Sequence, residues 1–244
     1  MKRILLKISY DGTRYHGWQV QPNAVTVQEV LQNGIEKVLK EKPAVTGCSR
    51  TDAGVHAREF YCHLECGDNI PPEAFLRGLN AVLPSDISVR DCKEVASDFH
   101  ARYNAKAKTY IYRILNSSRR DPFLSRYSWQ IERTLNVKLM NEFCRNLTGT
   151  HDFYAFSSSG RTVTDTVRTV FDCKTEKSGD IISLEITANG FLYNMVRIIT
   201  GTAVAVSDGK INPDETEEIL ISKDRGRAGI TAPPQGLTLE KVYY

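Results

Sequence analysis

Long apolar runs are missing from this 244-residue chain. No stretch approaches the roughly 20 uninterrupted apolar residues that a membrane-spanning helix needs. The opening MKRILLKISYDG has a basic tip, but it lacks the apolar length and small-residue cleavage site of a secretory signal, and lysine interrupts it. These absences lead to the expectation of a cytoplasmic protein with no membrane partner. Cysteines at metal-ligand spacing are missing too. Of the six cysteines, Cys62 and Cys66 are the closest couple, in FYCHLEC, which alternates like a strand. Four residues along a strand span about 13 Å, too far to share one zinc ion. The others stand singly among apolar neighbours, as Cys144 does in NEFCRNL, and read as buried reduced thiols. No metal is expected. A dominant charge of one sign is also absent, since 32 basic and 29 acidic residues leave only +3 at neutral pH. Local basic clusters remain: Lys106 with Lys108, then Arg119, Arg120 and Arg126, and later Arg225 with Arg227. Each reads as solvated surface unless the clusters line one face.

What is present has the composition of an ordinary soluble protein, 41% hydrophobic and 25% charged, with length for one large domain or two small ones. Residues 4–10 alternate as a strand that places Ile4, Leu6, Ile8 and Tyr10 on one side. Thr26 followed by Glu29 is a capping-box signal, and Val27, Val30, Leu31, Ile35, Val38 and Leu39 recur at helical spacing. A short strand leads into Gly47, and Glu59 to Cys66 forms another. Pro71 and Pro72 open a helix carrying Phe75, Leu76, Leu79, Val82 and Leu83, and residues 86–95 return as a strand. The order is β-α-β-β-α-β. From Ala105 it begins again: a strand from Lys108 to Asn116, a helix marked by Leu139, Met140, Phe143, Cys144 and Leu147, and strands at about 165–175 and 180–188 joined through the turn residues 177–180. A strongly apolar helix follows from Phe191 to Val206. Asn212 and Pro213 cap a short acidic helix, and LTLEKV closes as a strand. The expected fold class is α+β: two ferredoxin-like halves, 1–104 and 105–244, with antiparallel sheets side by side around a central cleft. Such a sheet face is a common platform for RNA, although topology alone assigns no function.

Three features carry candidate chemistry. In GCSRTDAGVHA, glycines at 47 and 54 bracket Asp52, and Arg50 and Arg58 flank it. Glycines allow a sharp turn or a close approach, and nearby arginines hold a carboxylate ionised. The segment reads either as a surface turn with an incidental ion pair or as a site built around one carboxylate. In GFLYNMVRIITGTAVAV, Arg197 falls in the middle of an apolar helix. A guanidinium cannot be buried without an anion or several acceptors; it reaches water or meets a carboxylate, and Asp52 is a candidate partner. In AKAKTYIYRI, Lys106, Lys108, Tyr110 and Tyr112 share parity. They form either a stacking-and-phosphate surface or a strand whose tyrosines pack in the core.

Several stretches together resemble one family, the TruA-type tRNA pseudouridine synthases, from end to end of the chain. Tyr10-Asp11-Gly12-Thr13 with Gly17-Trp18-Gln19 is similar to its opening signature, and Arg50 to Ala57 to its catalytic segment. Lys108-Thr109-Tyr110 with Tyr112-Arg113, His151-Asp152-Phe153 with Phe156, and Gly190-Phe191-Leu192 with Asn194 to Arg197 follow in the family's order. Ala232-Pro233 with Gly236-Leu237 comes last. Cys48-Ser49 departs from the usual small residues, which puts local packing in question. The resemblance implies isomerisation of uridine to pseudouridine in the tRNA anticodon stem-loop, at positions 38, 39 and 40. It implies a homodimer with tRNA across both subunits, and no cofactor. By motif position Asp52 is the catalytic aspartate, Tyr110 packs on the target base, Arg197 pairs with Asp52, Arg50 helps displace the nucleotide, and Leu237 lines the pocket. Two other classes compete. A hydrolase using Asp52 lacks the second carboxylate that glycosidases place across the bond. A non-catalytic RNA-binding module explains the sheets and basic clusters but gives Asp52 and Arg197 no work. Asp52 with His56 alone does not make a metal site.

Overall fold

Alternating and helical apolar patterns become ten strands and five α-helices in a computed structural model that describes residues 1–67, 70–160 and 164–244. The chain forms two compact units, residues 1–106 with 239–244, and residues 107–238. The last residues of the final strand, 239–244, thus belong to the first unit.

The first unit begins with β1 (Lys2–Tyr10), α1 (Val27–Leu39), β2 (Thr46–Gly47), β3 (His56–Cys66), α2 (Pro72–Val82) and β4 (Ile87–Val95). β1 runs antiparallel between β3 and β4, and β2 pairs with β3. That neighbour order, β4-β1-β3-β2, follows from the crossovers that α1 and α2 provide. The Thr26 side chain accepts from the Glu29 N–H and starts α1, satisfying an otherwise orphaned donor. Lys40, left-handed at φ 61°, ends it. Val27, Leu31 and Ile35 of α1 and Phe75 and Leu79 of α2 are fully buried, as are Leu6 and Ile8 of β1. β10 (Leu237–Tyr243) adjoins β3. All six cysteines of the chain are buried and none forms a disulfide, as their apolar settings suggest.

The second unit holds β5 (Ala107–Leu115), β6 (Trp129–Gln130), α3 (Val137–Arg145), β7 (Gly149–Asp152), β8 (Val167–Ser178), β9 (Ile181–Ala188), α4 (Met195–Ser207) and α5 (Thr216–Ser222). β9 runs antiparallel between β5 and β8, β7 extends the edge along β8, and β6 lies parallel to β5. α3 packs on β8 and α4, with Met140, Phe143 and Cys144 fully buried. Leu147 is also buried but lies beyond the helix end. Asn212 and Glu215 form the reciprocal capping box that introduces α5.

One expectation needs correction. The apolar helix starts at Met195, not at Phe191, because Asn194 adopts a left-handed conformation at φ 61° and the chain turns there. Arg197 is therefore in the first turn of α4, half-buried, not in its middle. Of the two readings of Lys106, Lys108, Tyr110 and Tyr112, the strand with tyrosines packed in the core is the one found. Only Lys106 is exposed, while Lys108, Tyr110 and Tyr112 are buried.

His63 on β3 is a buried polar residue whose Nδ1 accepts from the Ala101 N–H at 3.2 Å. Burial, reinforced by the charges of His100 and Arg3, pushes its imidazole down to about 4. The folded value lies below the unfolded one, so the unfolded chain binds the proton more readily. The neutral ring's contribution is complete above about 6.5 and drains away as pH falls toward 4. Unfolding free energy measured by urea titration should fall less steeply through that window in His63→Gln than in the parent; parallel curves would contradict this.

Candidate active site

The loop joining β2 to β3 carries Asp52, and the segment after β1 grips it. Tyr10 at the end of β1 shares a hydrogen bond of 2.8 Å between its hydroxyl and Thr51 Oγ1. The Trp18 N–H donates to the Thr51 carbonyl at 3.1 Å, and the Gly54 N–H donates to the Tyr15 carbonyl at 3.1 Å. The Gly12 N–H donates to His56 Nδ1 at 3.0 Å. Within the loop the Val55 N–H closes on the Asp52 carbonyl at 3.1 Å. Gly12 and Gly17 make the approach possible. A Cβ at Gly12 would overlap the Val55 carbonyl, and one at Gly17 would overlap the Thr51 carbonyl. Gly17 also sits at φ +85°, where a side chain is strained.

Other positions in the segment have packing reasons. A Cβ at Gly47 would stand 2.6 Å from Trp18 Nε1, so the glycine leaves room for an indole that is buried against Phe60 at 4.1 Å. Cys48 is fully buried, its N–H donates to the Tyr61 carbonyl at 2.8 Å, and its Sγ accepts from the Tyr61 N–H at 3.4 Å. The departure from small residues at Cys48 thus fits the local packing. Asp52 itself is half-buried on the turn, with Ala53 and Arg50 exposed beside it. The backbone that carries this carboxylate is fixed by these contacts and need not reorganise when a ligand approaches.

In the second unit, Tyr110 lies on β5 opposite Ile186, its ring edge-on to Phe191 at 5.0 Å. Arg197 donates from Nε to the Ala232 carbonyl at 2.7 Å and from Nη1 to Asn194 Oδ1 at 2.8 Å. The Ala232 N–H returns a bond to the Arg197 carbonyl at 3.1 Å. Asn194 Nδ2 in turn donates to Ser158 Oγ at 3.0 Å. The guanidinium plane is therefore aimed, not free to wander. A cation in the first turn of a helix opposes the helix dipole, and no acidic residue sits in that turn of α4. Tyr112 donates to the Pro233 carbonyl at 2.7 Å, and burial pushes its phenol pKa strongly up. A Cβ at Gly236 would lie 2.6 Å from the Tyr112 ring, so the Ala232–Leu237 stretch lies against Tyr112 and Arg197. Leu237, at the start of β10, is buried.

The His151-Asp152-Phe153 stretch has a different job. Phe153 and Phe156 are fully buried near Phe143. Asp152 accepts from Thr166 Oγ1 at 2.5 Å and pairs with Lys223 at 2.8 Å. Burial raises its carboxyl, but these bonds outweigh it and the net shift is downward. This motif builds the core of the second unit. Among the described residues no group of His, Cys, Asp and Glu has the makings of a metal site, and no helix is long and apolar enough to cross a membrane.

A sequence profile of tRNA pseudouridine synthases matches residues 7–104 and 143–244. The chain belongs to the tRNA pseudouridine synthase family. Arg50, Asp52, Arg197 and Leu237 fall inside the matched segments, and Tyr110 falls between them. A relative named tRNA pseudouridine synthase A, from Thermoanaerobacter sp. (strain X514), is 52% identical over the whole of both chains. One named tRNA pseudouridine synthase A 2, from Clostridium perfringens (strain 13 / Type A), is 45% identical, again over both full lengths. Another tRNA pseudouridine synthase A, from Caldicellulosiruptor saccharolyticus, is 46% identical over both full lengths.

The grip on the Asp52 turn is testable by a single methyl. Gly17→Ala should displace residues 51–53 and lower pseudouridine formation on tRNA by at least about tenfold, with about 1–3 kcal/mol lost in stability. Gly209→Ala is the control: its φ of +70° is equally unusual, but a Cβ there meets nothing within 4 Å. It should cost stability without changing the rate.

Proposed function

We propose that this protein isomerises uridine to pseudouridine in the anticodon stem-loop of tRNA, at positions 38, 39 and 40, with Asp52 as its catalytic residue and no cofactor. Family membership together with the backbone-fixed carboxylate of Asp52 supports the reading most strongly. In this reaction the bond from ribose C1′ to N1 breaks, the uracil turns, and C1′ joins C5. The proton leaves C5 and N1 gains one, so no electrons enter or leave. The departing uracil takes negative charge while C1′ becomes cationic. An ionised carboxylate beside the sugar stabilises that cation, attacks it, or removes a sugar proton. Arg197, by its motif position, is the proposed partner that keeps Asp52 ionised, within a cleft formed by the two halves. Its bonds to Ala232 and Asn194 would hold the fork in register.

The target base must leave its helix before any side chain reaches C1′. Extrusion costs a few kcal/mol of lost stacking. Tyr110 is assigned to packing on the extruded base, Leu237 to lining its pocket, and Arg50 to occupying the vacated space. We further propose that the protein acts in the cytoplasm as a homodimer that carries tRNA across both subunits. Phosphate contacts would come from its basic clusters, positioning the stem without reading its sequence.

The test is to treat unmodified tRNA with the parent protein and with Asp52→Ala, then map pseudouridine. The parent should convert uridine without change of mass, and Asp52→Ala should convert none while retaining most of its tRNA affinity. Release of free uracil would identify a hydrolase, and equal turnover by both proteins would remove Asp52 from the chemistry. Affinity should also fall steeply as salt rises from 50 to 200 mM, by roughly tenfold or more; a flat response would contradict phosphate anchoring.

A further inference from the structure

A second feature of the first unit lies beside the Asp52 loop but outside it. A polar cleft of about 270 Å³ opens between the start of α1, the β2 region and the loop after β4, with Arg50 at its edge. Trp18 and Gln28 belong to its lining, and both are buried. The Gln28 amide is locked, its Oε1 accepting from Gln19 Nε2 and the Val20 N–H, and its Nε2 donating to the Val45 carbonyl at 2.8 Å. Thr46 and Ser49 add hydroxyls to the wall.

Tyr103 flanks this cleft and is 79% exposed. One face of its ring stacks on His100, with centroids 4.2 Å apart and planes 29° apart. His100 is fixed in turn: its Nδ1 accepts from the Arg102 and Tyr103 N–H groups, and its ring meets His63 edge-on at 4.9 Å. The loop is anchored between them at Ala101, whose N–H bonds His63 and whose carbonyl accepts from the Tyr244 hydroxyl. The backbone is therefore rigid where the aromatic ring is most exposed. Leaving a tyrosine face in water forgoes burial that the fold has not used. Arg50 and Arg102, both exposed, stand at the same cleft. A flat aromatic platform, arginines around it and a polar floor of this size match a nucleotide, with the base stacked and the phosphates paired.

We propose that this cleft holds a second, non-reacting nucleotide of the RNA strand, its base stacked on Tyr103 and its phosphate met by Arg102. The proposal rests on the reading of the protein as a tRNA pseudouridine synthase, and it assigns to Tyr103, His100 and Arg102 a role that reading does not. Asp52 does not line the cleft. It is two residues from Arg50, a reach of at most about 7 Å along the chain. The nucleotide in the cleft is accordingly a neighbour of the one being isomerised. Holding that neighbour offsets part of the stacking lost when the target base leaves the helix.

Two measurements decide it. A tRNA carrying 4-thiouridine at a nucleotide next to the target uridine is irradiated on the full-length protein, and the crosslinked peptide is mapped. Crosslinks should fall on the peptide containing His100, Arg102 and Tyr103. In parallel, kcat/KM for pseudouridine formation should drop at least about fivefold in Tyr103→Ala and recover in Tyr103→Phe, which keeps the ring. Crosslinks mapping only elsewhere, or Tyr103→Ala matching the parent, would overturn the inference while leaving the isomerase reading intact. If the parent forms no pseudouridine but crosslinks through Tyr103, the isomerase reading fails and the nucleotide site stands.

Discussion

The position of one carboxylate depends on a backbone contact that only glycine permits. Where Gly17 and Gly12 pass the Thr51 and Val55 carbonyls, there is no space for a Cβ. The hydrogen bonds from Trp18, Gly54 and Tyr10 then tie the turn to β1 and to the segment that follows it. The backbone at Asp52 is thereby held by main-chain hydrogen bonds. Preorganisation of this kind is how an enzyme stabilises charge that appears only in the transition state. The neighbouring Trp18, Gly47 and Phe60 pack behind the turn and stiffen it from the core side.

The second unit orients a cation by other means. Arg197 begins α4, where the helix dipole disfavours a cation, and its orientation is set by Ala232 and Asn194. Asn194 contributes twice: its left-handed backbone starts the helix late, and its side chain links Arg197 to Ser158. Tyr112, buried below the Ala232–Leu237 stretch, ties that stretch to β5 through Pro233. A non-catalytic RNA-binding module gives such a directed guanidinium no assigned work.

Much of this was legible in the sequence, and the failures have physical causes. Alternation in β1, β9 and β10 and helical spacing in α1, α2 and α3 are strong because one face of each is buried. β6 and β7 escaped because segments of two and four residues are too short to show a period. The apolar pattern runs back through Leu192 and Phe191 ahead of α4, and nothing in it reports the left-handed Asn194. Parity put Lys108 with Tyr110 and Tyr112 correctly, yet it cannot say that β5 is buried along that side. The glycine brackets around Asp52 were visible, but the grip from Tyr10 to Trp18 was not, since it exists only between segments distant in sequence. His100 and Tyr103 gave no signal at all, because a stacked pair on a fixed loop has no periodicity to read.

If main-chain geometry sets where the carboxylate acts, charge alone should not suffice. Asp52→Glu keeps the negative charge and moves it by one methylene, about 1 Å or more. Single-turnover pseudouridine formation on saturating tRNA is the most direct test. The account predicts a rate at least about a hundredfold below the parent with tRNA affinity little changed; a rate within a few-fold of the parent would contradict it.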